Sequence, residues 1–212
     1  MNRIIRMAKI RVHKGDLPDL KHYNVKEVAI DTETLGLHPH RDRLCVVQIS
    51  PGDGTADVIQ IAKGQKTAPN LVKILRDPDI TKIFHFGRFD LAVLALTFGV
   101  MPRPVFCTKI ASKLTRTYTD RHGLKDLVAE LLEINISKQQ QSSDWGADEL
   151  SPAQVEYAAT DVLYLHQLKA ILSARLIRDG RESVAKSCFE FLPSRSELDL
   201  IGFPDVDIFA HS

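Results

Sequence analysis

The chain has 212 residues and a mass of 23.8 kDa, with 44% hydrophobic and 26% charged residues, which excludes a wholly disordered, collagen-like or coiled-coil chain. Lys plus Arg number 28 against 27 Asp plus Glu, so there is no bulk electrostatic pull toward duplex DNA or an anionic membrane, and any polyanion site has to be local. At this length one domain spanning 1–212 is expected, with enough apolar residues for a real core. Cys45, Cys107 and Cys188 are widely spaced with no CxxC or His-rich partner run. That pattern argues against a disulfide framework or a structural zinc site and fits a reducing cytoplasm.

The N-terminal MNRIIRMAKIRVHKGD breaks its apolar residues with Arg and Lys and lacks the apolar stretch of a signal peptide, so no export is expected. Segments 26–31 (KEVAID) and 43–50 (RLCVVQIS) read as short β-branched strands, joined by LGLHPHRD with Gly36 and Pro39 in the connection. Segment 56–61 alternates, and PGDG at 51–54 supplies the turn before it, which completes a predicted antiparallel meander. Asn70 is a candidate cap for a helix through Leu75, 82–86 (KIFHF) reads as a strand, and 88–98 (RFDLAVLALTF) as a buried helix stopped by Gly99 and Pro102. The apolar run Leu91 to Val100 is about half of the ~20 residues needed to cross a bilayer.

From there the chain turns helical. Segments 108–116, 123–133 and 151–178 carry 3.6-residue apolar periodicity, the last opening on Ser151 as N-cap and Pro152 at the first helical position. Between them 137–149 (SKQQQSSDWGADE) is polar and reads as a loop long enough to carry function. The tail 190–212 has apolar residues with no regular period, which either dock on their own domain or cover a neighbour. The fold class is α/β with a mixed sheet.

The chemistry lies in the acids. Asp31 and Glu33 are two apart on a strand, so both carboxylates project to one side. Asp90 falls in an apolar helix among Phe89, Leu91 and Leu94, and Asp161 falls in EYAATDVLYL, one helical turn after Tyr157. Each acid is awkward alone, because a carboxylate among apolar groups shifts toward neutrality unless a cation compensates it. Together they suit hard divalent cations with oxygen ligands, Mg2+ or Mn2+, and two such ions ~3.5–4 Å apart would clamp an in-line phosphoryl displacement.

DTET (31–34), FHFGRFDL (84–91), SDW (143–145) and YAATD (157–161) together resemble the three exonuclease motifs of the DEDD superfamily, in the Tyr-containing branch typified by ribonuclease D. The likeness covers roughly 20–178, and it implies a ribonuclease H-like fold in which helices flank the mixed sheet. Ribonuclease D proper carries further helical nucleic-acid-binding domains, for which residues 179–212 are too few; this segment is expected to serve packing or oligomer contacts. The stretches DTETLGLHPHRDRLCVVQIS, KIASKLTRTYTDRHGLK and SRSELDLIGFPDVDIFAHS are similar to the nano-RNase C group. Members of that group cleave very short oligoribonucleotides, diribonucleotides included, to mononucleotides, and assemble as octameric rings.

The resemblance implies that Asp31, Glu33, Asp90 and Asp161 hold the metal ions and that Tyr157 orients or helps deprotonate the attacking water. It places Thr34, Leu35, Gly36 and Leu37 against the substrate, with Leu37 favoured over Leu35 as a wedge between stacked bases. His85 and Phe86 are candidates for the 3′ nucleotide, His85 being equally readable as a core histidine. Arg88 stands where a small residue or Asn is expected, and either contacts substrate or pairs structurally. Lys109, Lys113 and Arg116 form one basic helical face, and Lys138, Gln140, Ser142 and Trp145 in the polar loop are further candidates for reading a 5′-phosphate. The expected activity is a metal-dependent 3′-to-5′ exoribonuclease acting on short RNA and linear dinucleotides, with DNA left open as a substrate. The alternatives are a general ribonuclease D-like enzyme trimming longer RNA or DNA, and a silent nucleic-acid-binding scaffold.

Overall fold

The structure is a computed structural model that describes residues 9–137 and 139–211. Its strands are β1 (Lys9–Lys14), β2 (Glu27–Thr34), β3 (Leu44–Ser50), β4 (Thr55–Gln60), β5 (Thr81–Phe84) and β6 (Val105–Cys107). Its helices are α1 (Pro69–Arg76), α2 (Arg88–Phe98), α3 (Thr108–Thr115), α4 (Leu124–Leu132), α5 (Pro152–Leu163), α6 (Leu165–Arg178) and α7 (Glu182–Leu200).

The strands form one mixed sheet in the order β1-β4-β3-β2-β5-β6. The meander β2-β3-β4 is antiparallel as expected, whereas β1 joins β4, and β5 and β6 extend from β2, in parallel. Parallel neighbours need crossovers: α2 supplies the one from β5 to β6, whereas β1 reaches its parallel partner β4 by way of β2 and β3. Strand β3 has partners on both sides and every residue of LCVVQIS is buried, which is why its β-branched run is continuous rather than alternating. Helix α5 lies against β2, β3 and β4, and α6 against β2 and β5.

The structure departs from the sequence expectations at several elements. Asn70 does not cap α1: the helix starts at Pro69 and the Asn70 amide donates to the Leu17 carbonyl at 2.8 Å. The segment 151–178 is two helices, because the chain turns at Tyr164 with φ −102° and ψ −8°. Strand β1 has no obvious strand signature in KIRVHK, since its alternation sets Arg11 and His13 on one side. That side is not solvent: the buried Asp57 carboxylate accepts bonds of 2.7 and 2.6 Å from Arg11 and one of 2.5 Å from the Tyr23 hydroxyl, with His13 Nε2 2.6 Å away. Burial alone would raise the Asp57 carboxyl, but these bonds outweigh it and hold it at about 2.

Helix α7 is the largest departure. Its sequence carries Pro193 in the interior, which removes one helical hydrogen bond and ordinarily costs ~3 kcal/mol. Tertiary contacts offset this: Phe189 stacks on Phe106 at 4.5 Å between centroids, and Ser196 donates to the Arg88 carbonyl at 2.8 Å. Among the described residues no helix is long and apolar enough to cross a membrane.

Candidate active site

Strand β2 runs on to Thr34, so Asp31 and Glu33 sit inside the sheet's edge rather than beyond it, just before a register shift at Glu33/Thr34. Such irregularities re-aim side chains beside functional sites. Helix α5 crosses this end of the sheet and delivers Asp161. The carboxylates of Asp31, Glu33 and Asp161 each offer an oxygen, and these atoms all lie within 4.8 Å of one another.

Asp90 is not one of these three. Thr32, between the two strand acids and pointing the other way, donates a 2.6 Å bond to the Asp90 carboxylate. Asp90 therefore stands slightly apart in the first turn of α2, buried, while its charge still acts on Asp31 and Glu33.

The electrostatics are those of a site built for cations. Burial, followed by the charges of Asp90, Asp161 and Glu33, pushes the Asp31 carboxyl well above its ordinary value. Burial and the charges of Asp161 and Asp90 push Glu33 up to about 9. Asp90 is pushed up to about 7 by burial, against the Thr32 bond, which lowers it. Three hard oxygen donors this close, with Asp31 and Glu33 resisting ionisation alone, fit Mg2+ or Mn2+.

The same shifts set a stability profile. Glu33 has a folded value above its ordinary 4.5, so its contribution is fully present below about pH 4.5 and is lost as pH rises toward 9. The metal-free protein should therefore melt lower as pH is raised over that window, and saturating Mn2+ should restore the loss. A shift of at least ~1 kcal/mol corresponds to about 2–4 °C for a chain of this size, readable by scanning calorimetry with and without EDTA. A melting temperature that rises across the window in EDTA would contradict the reading.

Tyr157 is placed by the start of α5. Ser151 accepts from the Gln154 backbone N–H and the Gln154 side chain accepts from the Ser151 backbone N–H, a reciprocal cap with Pro152 behind it. This fixes the helix phase that sets Tyr157 one turn before Asp161. Burial, then the charges of Asp161, Glu33 and Asp31, push the phenol well above its ordinary value. Tyr157 thus stays a proton-bearing hydroxyl beside the acids.

The acids open into a cleft of about 360 Å3, lined also by His85, Phe86, Lys109, Lys125, Gln141 and Tyr157. Phe86 is a non-glycine residue with φ 64° and is 48% exposed. A side chain held in that conformation costs ~1–3 kcal/mol and is characteristic of functional sites. Lys109 Nζ lies 4.2 Å from its ring centroid, so cation and aromatic face form one wall. His85 Nδ1 is 2.9 Å from the Thr108 hydroxyl. Beyond the strand acids, Leu37 is 85% exposed, whereas Leu35 is braced by the polar loop: a Cβ at Gly146 would come within 2.7 Å of Leu35 Cδ2. Gly36 is equally confined, because a Cβ there would strike the Asp42 carboxylate. Thr34 donates its hydroxyl to the Gly36 carbonyl at 2.5 Å and shapes this turn.

Several sequence-selected candidates do not line the cleft, Lys113 and Ser142 among them. The Arg88 guanidinium grips Asp199 of α7 with two bonds of 2.6 Å, so it ties helices together. Trp145 is 2% exposed and lies 6.0 Å from Tyr157 between ring centroids, supporting that ring from behind the polar loop. Gln140 accepts from Ser143 and lines a neighbouring cavity with Asn135 and Thr160, and it is Gln141 that faces the acids. Arg116 is buried against Glu130, Ser112 and the Arg121 carbonyl, which breaks the supposed basic face. Lys138 lies outside the described residues. The sequence reading missed Lys125 and Gln141 in the cleft and Thr32 as the holder of Asp90; only the folded turn at Gly123 brings Lys125 across.

A family model described as 3'-5' exonuclease matches residues 20–177. Brucella melitensis NrnC bound to pGG is 74% identical, with a TM-score of 0.95 over 96% of this chain and 99% of that one. The same protein with bound Mg2+ is 72% identical, with a TM-score of 0.94 over 96% of this chain and 100% of that one. Ribonuclease D of Gluconacetobacter diazotrophicus is 38% identical over 154 residues, 73% of this chain but only 39% of that relative's length. The chain belongs to the 3'-5' exonuclease family, in the ribonuclease D branch that includes NrnC.

Proposed function

We propose that this protein is a divalent-metal-dependent 3′-to-5′ exoribonuclease that cleaves short oligoribonucleotides and linear dinucleotides to nucleoside 5′-monophosphates. The observation that carries this reading is the convergence of Asp31, Glu33 and Asp161 within 4.8 Å beside a neutral Tyr157 hydroxyl, at the mouth of a cleft sized for a nucleotide. Asp31, Glu33 and Asp161, with Asp90 as the fourth acid, would hold two divalent ions. When bound, such ions neutralise developing phosphoryl charge and lower the pKa of water toward neutrality.

This chain's own residues would do the rest. Phe86 offers an aromatic face to the terminal base, and exposed Leu37 is assigned the wedge between that base and its neighbour. Lys109 and Lys125, which line the same cleft, pair with phosphate oxygens. The Tyr157 hydroxyl aligns the attacking water in line with the scissile P–O3′ bond. Water oxygen bonds to phosphorus, the 3′ oxygen of the preceding nucleotide leaves and takes up a proton, and a 5′-monophosphate departs.

Short substrates are favoured because the chain's formal net charge is only +1, and an enzyme of long RNA gains from many basic phosphate contacts. NrnC of Brucella, solved with pGG, supports the same size class. Assembly as a homo-oligomer, an octameric ring by resemblance, and residence in the cytoplasm belong to the same reading; the exposed Ile201, Phe203, Ile208 and Phe209 after α7 offer apolar surface for such contacts. The test is single-turnover hydrolysis of 5′-labelled RNAs from two to roughly twenty nucleotides, in Mn2+ or EDTA, with DNA counterparts alongside. The dinucleotide should be cut at least as fast as the longest RNA, and EDTA should stop both. A rate that climbs with length while dinucleotides accumulate would replace this reading with general 3′-end trimming.

A further inference from the structure

Gln48 lies in the centre of β3, completely buried, and among the described residues neither its side-chain nitrogen nor its oxygen has a hydrogen-bond partner. Buried amides without partners are rare and costly, so each one requires an explanation. The ladder register supplies it. Gln48 pairs directly with Asp31 of β2 on one side and with Val58 of β4 on the other. Residues directly opposite in a ladder share a face, with Cβ atoms ~4.5–5.5 Å apart, a span that a glutamine side chain covers easily.

Most other neighbours on that face are apolar or already engaged. Along β3 they are Val46 and Ser50, and the Ser50 hydroxyl already donates to the Thr55 carbonyl at 2.6 Å. The Gln60 amide, diagonal on β4, is taken by the Ala147 and Asp148 carbonyls. Helix α5, which covers β3, buries Ala158, Ala159 and Val162, none of which bonds an amide, and its buried Gln154 is engaged by the Asp144 carbonyl and the Ser151 backbone N–H. Asp31, directly opposite, and Glu33, diagonal on β2 opposite Val46, are the carboxylates on that face, and the direct pairing makes Asp31 the nearer acceptor for what an amide N–H donates.

We propose that Gln48 is a positioning residue whose amide N–H hydrogen-bonds the Asp31 carboxylate in the cation-loaded site and fixes the orientation in which Asp31 meets the ion. The inference rests on the metal-dependent reading above. It assigns Gln48 the outer role that a ligand's own hydrogen-bond partner commonly plays, orienting the ligand without touching the ion.

The experiment measures Mn2+ binding by titration calorimetry and metal-free melting for wild type, Gln48→Leu and Gln48→Met. Replacing an unpartnered amide by an apolar group of similar volume should leave the metal-free melting temperature equal or higher. Mn2+ affinity should nevertheless fall by about 10–100-fold in both variants. Unchanged Mn2+ affinity overturns the proposal, as would be seen if the amide merely held a buried water. A metal-free melting temperature that falls in both variants overturns it too, since Gln48 then serves the fold. Wild type that binds no Mn2+ would instead remove the metal-dependent reading itself, and the proposal with it.

Discussion

Asp161→Asn is expected to lower single-turnover cleavage of a dinucleotide by on the order of 10³-fold or more, because a metal-held acid contributes several kcal/mol of transition-state stabilisation and each ~1.4 kcal/mol is tenfold. The substitution is nearly isosteric, so the loss is one of charge and not of shape. Its second effect runs the opposite way. Asp161 is among the charges that push Asp31 and Glu33 up, so removing it relieves like-charge crowding and the metal-free protein should melt no lower than wild type. Rapid-quench assays and a thermal melt on the same preparation check both halves. Turnover within about tenfold of wild type would remove Asp161 from the site. Lost turnover with a collapsed melt would make it a fold residue instead.

The acids were legible in sequence because burying them only makes sense in company. Asp31 and Glu33 follow strand alternation and Asp161 follows helix phase from Tyr157, and both periods are local. The meander was legible for the same reason: VAID, LCVVQIS and ADVIQ carry their own strand signals and PGDG marks a turn. What failed to show is non-local. Strand β1 is held by Asp57, 46 residues from Arg11, and α7 persists through Pro193 because of Phe106 and Arg88, residues far upstream. Arg88 was open between a substrate contact and a structural pair, and its partner is Asp199, 111 residues away, which no local spacing indicates. Trp145 and Arg116 carried the residue types of a binding surface and were taken into the interior. Spacing could not reveal that, since burial of a long cation depends on whether a carboxylate such as Glu130 arrives opposite it. Gln140 and Gln141 differ by one residue in an irregular loop, where no period says which faces the acids.

Tyr157→Phe should lower kcat by about 10²-fold, the scale of a single positioned proton-bearing group, with KM little changed because the ring and its contact with Trp145 remain. The pH dependence separates two roles for the hydroxyl. Its pKa is raised, by burial first and then by the charges of Asp161, Glu33 and Asp31, so the folded phenol stays neutral above the pH at which a free tyrosine, near ~10, would ionise. A neutral hydroxyl orients water and does not act as a base. The variant's kcat profile should therefore run parallel to that of wild type between about pH 6 and 9, displaced downward by a constant factor. If Tyr157 ionised to act as the base, wild type would gain rate with rising pH while the phenylalanine variant stayed flat, and the two profiles would diverge. The same measurement bears on the acids, because a limb shared by both proteins has to come from groups that both retain, and Asp31, Glu33 and Asp90 are those whose ionisation burial has displaced.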